Sequence, residues 1–266
     1  MSKCFGLAVL LPALLAGCGA LIGPGVPSTA SGQTSDATEN AVVGREVSPD
    51  VDAEPAAPTV AVAGWQHVPF PGKTATQFQT VQHAGRTDVV AAYASSSASM
   101  LRRKVRVVPE DLDQITFSWM VPQLNTMADM SLREKDDAVV RVVLAFEGDR
   151  SRLSLKDQML SELALTLTGE EMPYATLMYV WCNRNKVGHI IHSPRTGRIR
   201  SMVVESGPGH LNQWLDYKRD IRADYEAVFG EPPGTLIGVG IMTDTDNTRT
   251  RSRSWYGAVE VTSKND

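Results

Sequence analysis

Only three cysteines occur in 266 residues, and two of them, Cys4 and Cys18, stand close to the N-terminus. Cys182 is then alone in the rest of the chain, so no disulfide can staple the folded part and its stability must come from a hydrophobic core. Aromatic residues are scarce, at 6% of the chain, which makes each Trp and Tyr worth weighing separately. Neither sign of charge dominates: 26 Lys and Arg stand against 30 Asp and Glu, a net charge of −4. A mildly acidic chain is a poor candidate for nucleic acid. Gly-rich phosphate loops are missing, and Glu205-Ser206-Gly207-Pro208-Gly209 lacks the first glycine of a hydrolase nucleophile elbow, so Ser206 reads as a turn residue. The apolar run from Phe5 to Leu15 falls short of the roughly 20 residues that a membrane-spanning helix needs.

That short run is instead the core of an export signal. Lys3 precedes it, and it ends in Leu15-Ala16-Gly17-Cys18, which resembles the bacterial lipobox. The pattern predicts a signal peptide over residues 1–17 that is cut away, leaving Cys18 as a lipidated first residue. Each buried acyl methylene contributes about 0.8 kcal/mol, so several chains on one cysteine hold a protein on a membrane almost permanently. Gly19 follows, where an acidic residue would favour inner-membrane retention, so the expected location is the periplasmic face of the outer membrane. Residues 18–63 comprise the lipidated cysteine and a Gly, Pro, Ser, Thr and Ala-rich linker without apolar periodicity. A flexible chain of that length reaches about 35 to 40 Å. Residues 64–266 are expected to form a single domain.

Within that domain Ile115, Phe117, Trp119 and Val121 alternate with Thr116, Ser118 and Met120, the period of a strand with one buried face. Segments 137–146, 175–183, 187–193, 199–205, 236–243 and 255–261 are further strand candidates, and the turn sequence after Cys182 suggests a hairpin joining the second and third of these. Glycines 238 and 240 inside a strand mark close packing or a bulge. Ser154-Leu155-Lys156-Asp157 resembles a capping box ahead of Met159, Leu160, Leu163 and Leu167 at helical spacing. A second helix is read over Leu211, Trp214, Leu215, Ile221, Tyr225, Val228 and Phe229, ended by Gly230 and the prolines after it. The whole predicts a mainly β protein, a jelly-roll-like β-sandwich with two peripheral helices that bury its apolar rims.

Chemistry-bearing residues are few. Asp244, Asp246 and Asn247 concentrate oxygen ligands after a strand, so structural calcium is an alternative to plain turn capping; the EF-hand pattern fails at Arg249 and Tyr256. No other cofactor is expected. Arg141 stands among valines and needs a carboxylate partner, for which the Asp244 to Asn247 loop is the candidate, with Asp137 placed on the same strand face as Arg141. Cys182, His189 and His192 fail as a zinc set, because two histidines three apart on a strand leave opposite faces. Trp65, Trp119, Tyr179, Trp181 and Trp255 are the rings that could stack on sugars, with Tyr179 and Trp181 the stronger binding candidates and Trp119 a core residue. The cluster Arg249, Arg251 and Arg253 reads as a solvated loop, or else as a contact for anionic polysaccharide or lipid headgroups.

Several segments together resemble one family. They are Trp65 with Pro71-Gly72-Lys73-Thr74, the serine run Ser95 to Ser99, Ile115 to Trp119, Lys135-Asp136-Asp137 with Arg141 and Phe146, Leu177 to Trp181, Asp224-Tyr225 with Phe229-Gly230, and the string Met242 to Thr248. In this order they are similar to the bacterial family of domains of unknown function numbered 3047, over nearly all of residues 64–262. The resemblance implies an envelope-bound or secreted domain similar to jelly-roll carbohydrate-binding modules, and supplies no catalytic residue. The function expected is a non-catalytic module, anchored to the membrane by its lipid, that binds glycan or another envelope polymer. The alternatives are a carbohydrate-active hydrolase or lyase using some of Asp137, Arg141, Tyr179, Asp244 and Asp246, and a scaffold for protein partners. Replacing Cys18 by Ser is expected to abolish lipidation, checked by labelling cells with a palmitate analogue; unaltered labelling would show that the anchor lies elsewhere.

Overall fold

Alternation of buried and exposed side chains along short strands builds two facing sheets. A computed structural model describes residues 62–264, which lie within one compact unit; the signal peptide, Cys18 and the linker to residue 61 fall outside the described residues, while Val62, read as linker, packs in the core. The strands are, in chain order, β1 (Gln66–Pro69), β2 (Gln77–His83), β3 (Arg86–Ser95), β4 (Ser99–Val107), β5 (Leu112–Met120), β6 (Arg141–Phe146), β7 (Ala175–Cys182), β8 (Ile190–His192), β9 (Ile199–Ser206), β10 (Leu215–Asp220), β11 (Leu236–Met242) and β12 (Arg251–Ser263). Two helices join them, α1 (Leu155–Thr168) and α2 (Ile221–Phe229). One sheet has seven strands in the order β1-β4-β11-β6-β7-β9-β8, and the other has five in the order β10-β5-β12-β3-β2. This is a β-sandwich. Among the described residues the β7–β9 pairing is the one parallel pairing. No helix among the described residues is long and apolar enough to cross a membrane.

The core lies between the sheets. From the five-stranded side come Phe78, Val90, Ile115, Phe117, Trp119 and Tyr256, and from the seven-stranded side Leu101, Val142, Leu144, Leu177, Tyr179 and Val239. The alternation of β5 is as expected, with Ile115, Phe117 and Trp119 inward. β11 bends at an irregularity between Leu236 and Gly238, and a Cβ on Gly240 would come within 2.7 Å of Met100 Sδ. Both glycines therefore serve the bulge and close packing that their placement suggested.

Three expectations are corrected. Cys182 and Ile190 are not joined as a hairpin: β9 lies between β7 and β8, because β7 pairs parallel with β9 while β8 pairs antiparallel with it. The chain after Cys182 is turned aside by its own thiol, whose Sγ accepts from the backbone N–H groups of Arg184 and Asn185. The second helix is shorter than its apolar residues suggest, since Leu215 to Asp220 form β10 against β5. Leu215, Tyr217 and Arg219 also fit a period of two, and Asp220 caps α2 by accepting from Ala223 N at 2.8 Å. The start of the 137–146 segment is irregular, and β6 begins only at Arg141.

α1 departs from expectation in a different way. Its limits and cap are as predicted, with Ser154 Oγ accepting from Asp157 N at 3.2 Å and Gly169 in the left-handed conformation at the C-terminal end. Its apolar face points outward. Leu155, Met159, Leu163 and Leu167 are exposed, while Ser161 is 3% exposed and accepts from the Arg150 guanidinium. Asp157, bonded by the Thr196 hydroxyl, anchors the same inner side. Polar contacts thus hold this helix, and its leucines contribute little to the core. Leu144→Ala, at a fully buried site, is expected to lower stability by about 2–5 kcal/mol. Leu163→Ala, at a residue 53% exposed, should stay within about 0.5 kcal/mol of wild type. Urea unfolding followed by circular dichroism measures both, and equal losses would place α1 in the core.

Candidate functional site

The residues singled out by chemistry gather at one end of the seven-stranded sheet. Arg141 opens β6, and Asp244 follows β11. Arg141 Nε donates to Asp244 Oδ1 at 3.1 Å, and Nη2 donates to Asp244 Oδ2 at 3.2 Å, a two-pronged pair buried from solvent. The expected pairing of Arg141 with the acidic loop is present. A second partner lies closer in sequence: Nη2 also meets Asp136 through its backbone oxygen and Oδ1, each at 3.1 Å. Burial alone would lower the Arg141 pKa, but Asp244 and Asp136 outweigh it and raise it, so the guanidinium stays charged. Desolvation pushes the Asp244 carboxyl up. Yet three N–H groups, from Arg141 twice and Ala138 at 3.0 Å, aim at its oxygens. No acceptor waits for a carboxyl proton, so it is the carboxylate that fits.

Asp137 does not share this pair, because residues 137–140 are not in a strand and the parity argument fails. Its Oδ1 accepts from Asn247 N and Nδ2 at 3.2 and 2.9 Å, and its Oδ2 from Thr248 N and Oγ1 at 2.7 and 2.6 Å. Asp246 is paired with Lys73 and accepts weakly from Asn247 Nδ2 at 3.4 Å. Asn247 Oδ1 accepts from Arg195 Nη2 at 3.1 Å. One oxygen each of Asp137, Asp244 and Asp246 lies within 4.8 Å of the others, an arrangement that could hold a cation. Every carboxylate oxygen of the three already receives a protein donor, and Arg141 and Lys73 supply positive charge. The acids are therefore knotted into the fold, and Asp137 borders, with Trp181 and Asn183, a cavity of only about 10 Å³.

Tyr179 and Trp181 are corrected as sugar-stacking candidates. Tyr179 is 0% exposed, with Phe117 stacked at 5.3 Å and its hydroxyl donating to Asp224 Oδ2 at 2.9 Å. Burial, with Asp224 beside it, raises its pKa well above the usual tyrosine value. Trp181 is 2% exposed and donates from Nε1 to Gly207 O at 2.9 Å. Cys182 is buried while His189 and His192 are exposed, so these three do not converge.

A second cluster of rings lies on the outer face of the five-stranded sheet, where Trp255 is 8% and Tyr93 4% exposed. Register places Gln77 of β2, Tyr93 of β3 and Arg253 of β12 side by side, with Trp255 across from Ala91 one step along. Here His83 stacks on Trp255 at 3.9 Å with planes 5° apart, and Arg253 lies over Tyr93 at 5.7 Å. Burial and the nearby Arg253 lower the His83 pKa, which keeps the ring neutral near pH 7. Arg86 covers Trp214 at 4.4 Å while donating to both oxygens of Asp216, at 2.9 and 2.8 Å, and to Ser118 Oγ at 2.8 Å. A cavity of about 250 Å³ is lined by Gln77, His83, Tyr93, Arg253 and Trp255 among others. It shares Tyr93 and Arg253 with one of about 180 Å³ against the 122–127 loop. A third of about 640 Å³ lies on the same face beside Arg86, Ser118, Asp216 and Lys218. Gln77 Oε1, His83 Nε2, Tyr93 OH and Trp214 Nε1 have no hydrogen-bond partner among the described residues.

Of these groups the sequence pointed only to Trp255 and the two arginines of β12, which lie on a strand and not in a solvated loop. The signal for His83, Tyr93 and Trp214 was an alternation in β2 and β3 too mixed to read, and a tryptophan assigned to the helix. Removing the buried guanidinium in Arg141→Ala is expected to cost about 3–5 kcal/mol, measured by thermal or urea unfolding. A chelator should leave the melting temperature unchanged, because the carboxylates are satisfied by the protein; a drop restored by calcium would instead show a bound ion.

The family profile described as "Protein of unknown function (DUF3047)" matches residues 63–260, and the chain belongs to that family. No curated protein matches it. Among solved structures it is similar to the xyloglucanase domain of NopAA, a type three effector from Sinorhizobium fredii, in complex with cellobiose. That match has 8% identity, covers 77% of this chain and 100% of that one, and has a TM-score of 0.36. A structure described as "CBM4 structure and function" matches at 5% identity, covering 75% of this chain and 86% of that one, with a TM-score of 0.31.

Proposed function

We propose that this member of the DUF3047 family is a non-catalytic glycan-binding module, and that its site is the outer face of the five-stranded sheet. The observation that carries the reading is the grouping there of rings and unpaired polar atoms. His83 stacks on Trp255, Arg253 lies over Tyr93 and Arg86 over Trp214, so a sugar would meet the outer side of these stacks, Trp255 itself being 8% and Tyr93 4% exposed. Beside them four side-chain polar atoms lack partners among the described residues. Sugars offer apolar C–H faces to rings and hydroxyls to polar atoms, and an unsatisfied buried polar atom costs about 1–3 kcal/mol until it is met.

Absence of a carboxylate pair separates binder from hydrolase in this reading. Glycoside hydrolysis needs two carboxyl groups across a cleft, about 5 to 9.5 Å apart. Among the residues that line the three cavities the one carboxylate is Asp216, and Arg86 occupies both of its oxygens. The lipidation signal at Cys18 supports placing the module on the periplasmic face of the outer membrane, where glycans and envelope polymers lie within reach of its linker. A protein scaffold is the second reading, favoured by the exposed α1 ridge of Leu155, Met159, Leu163 and Leu167.

Screening the full chain against a panel of plant and bacterial glycans and peptidoglycan tests the proposal. Trp255→Ala should weaken binding by about 2 kcal/mol, roughly 30-fold, with the circular dichroism spectrum retained. His83→Ala provides a second variant if loss of Trp255 disturbs the fold. Failure to bind any panel member, or binding indifferent to both substitutions, would refute the assignment.

A further inference from the structure

Among the described residues nine large apolar side chains are exposed, and five of them stand on α1: Leu155, Met159, Leu163, Leu165 and Leu167. Leu155, Met159, Leu163 and Leu167 recur at every fourth position, so they form one continuous stripe along a helix about 21 Å long. Polar contacts hold the other side of the helix inward. Arg150 donates to Ser161 and the Thr196 hydroxyl to Asp157, and Ser161 is the one buried residue of α1. A contiguous apolar patch left outside in this way marks a surface that meets something. The helix is too short to cross a bilayer, and its two unlike faces suit one that lies along the interface.

A second observation says what covers the stripe. Residues 18–61 join Cys18, the expected lipid attachment site, to Val62, which is fixed in the core at 7% exposure. Gln66, four positions on, opens β1, and β1 borders the C-terminal half of α1 across a groove of about 740 Å³. Val68 and Phe70 line it from one side, and Ala164 and Leu167 from the other. The tethered end of the chain therefore enters the domain beside the stripe. An anchor at Cys18 keeps α1 within the length of that segment from the bilayer, so a contact too weak to hold a free protein becomes an intramolecular event at high effective concentration. Charge does not oppose it: the exposed ionised residues of α1 are Lys156 and Glu162, one of each sign. β1 is an edge strand of the seven-stranded sheet, while the rings assigned to glycan lie on the five-stranded one, so neither contact uses the residues of the other.

We propose that α1 lies on the bilayer that carries the lipid anchor, with Leu155, Met159, Leu163 and Leu167 inserted at the boundary of headgroups and acyl chains. The inference goes beyond glycan recognition and rests on lipidation at Cys18.

Fluorescence quenching in the lipidated full chain, reconstituted into phosphatidylcholine vesicles, tests it. Leu163→Cys and, as a second variant, Met159→Cys provide sites for an environment-sensitive fluorophore, because the anchor consumes Cys18 and Cys182 is buried. A probe at either position should shift its emission to the blue and lose intensity when the acyl chains are brominated. A probe at Val187→Cys, in an exposed position between β7 and β8, should do neither. Water-like emission from both α1 probes in an anchored chain would overturn the inference and leave the anchor standing. A blue shift without quenching by bromine would overturn it in favour of a second copy or another protein on the stripe. Equal quenching at Val187→Cys would overturn the assignment to α1. A chain that fails to float with the vesicles because Cys18 carries no lipid would remove the anchor and this inference together, and the glycan screen in solution is independent of both.

Discussion

The buried pair of Arg141 and Asp244 is the contact on which the rest of the architecture turns. It sits where the chain leaves β11 in the seven-stranded sheet and crosses to β12 in the five-stranded one, with Arg141 at the start of neighbouring β6. Backbone bonds reinforce the crossing: Asp244 N donates to Ala138 O at 3.1 Å and Thr245 N to Ser97 O at 2.9 Å. Thr243 Oγ1, placed between Val139 O, Ser254 and Tyr256, ties the two sheets just before it. A guanidinium in an apolar interior is tolerable only with its partners in place, so the loop has one acceptable geometry. That geometry sets where β12 begins. A slip of one residue in β12 would exchange Arg251, Arg253 and Trp255 for Ser252, Ser254 and Tyr256, sending the binding face inward. The acidic loop thus serves the groove without touching it.

This division of labour explains why the polar residues most conspicuous in the sequence are not those of the site. Aspartates clustered within a few positions attract attention as metal ligands or catalytic acids, yet such a cluster must be neutralised wherever the fold buries it. Here Arg141, Lys73 and the Asn247 and Thr248 amides perform that task. Tyr179 and Asp224 form a similar inner knot with Arg219, whose Nε donates to Asp224 Oδ2 at 2.8 Å. Once these groups are accounted for, the open face retains aromatic rings, arginines and amides.

What the sequence revealed depended on how many alternatives each pattern admitted. β5 was legible because its inward positions are large and apolar while most of the others are polar. The α1 cap was legible because Ser154 and Asp157 satisfy each other locally. Arg141 was legible because a buried charge admits few partners. β2 was not, since Gln77, Gln79, Val81 and His83 on its outer side mix amides, an aliphatic residue and a ring, and β3 is built largely of alanine and valine, which report no face. β10 fitted both a helical and a strand period, and only pairing with β5 decides between them. For α1 the periodicity was right and its direction was not. An apolar stripe says that a helix has two unlike faces, while the choice of the one turned inward belonged to Ser161 and Asp157 through Arg150 and Thr196.

One glycine links the packing of the sheet to the charge of the groove. At Gly257 the pairing of β12 with β5 shifts register between Tyr256 and Val259. A Cβ there would meet Ser118 Oγ at 2.2 Å and approach Arg86 Nη1 at 3.5 Å. The missing side chain therefore opens the space through which Arg86, rooted at the start of β3, reaches across β12 to Ser118 on β5 and Asp216 on β10. In doing so it lies over Trp214 and neutralises the Asp216 carboxylate. The bulge, the strap of Arg86 and the neutralised Asp216 form one device. The shape of the sheet and the reach of Arg86 across it follow from the same break in the ladder.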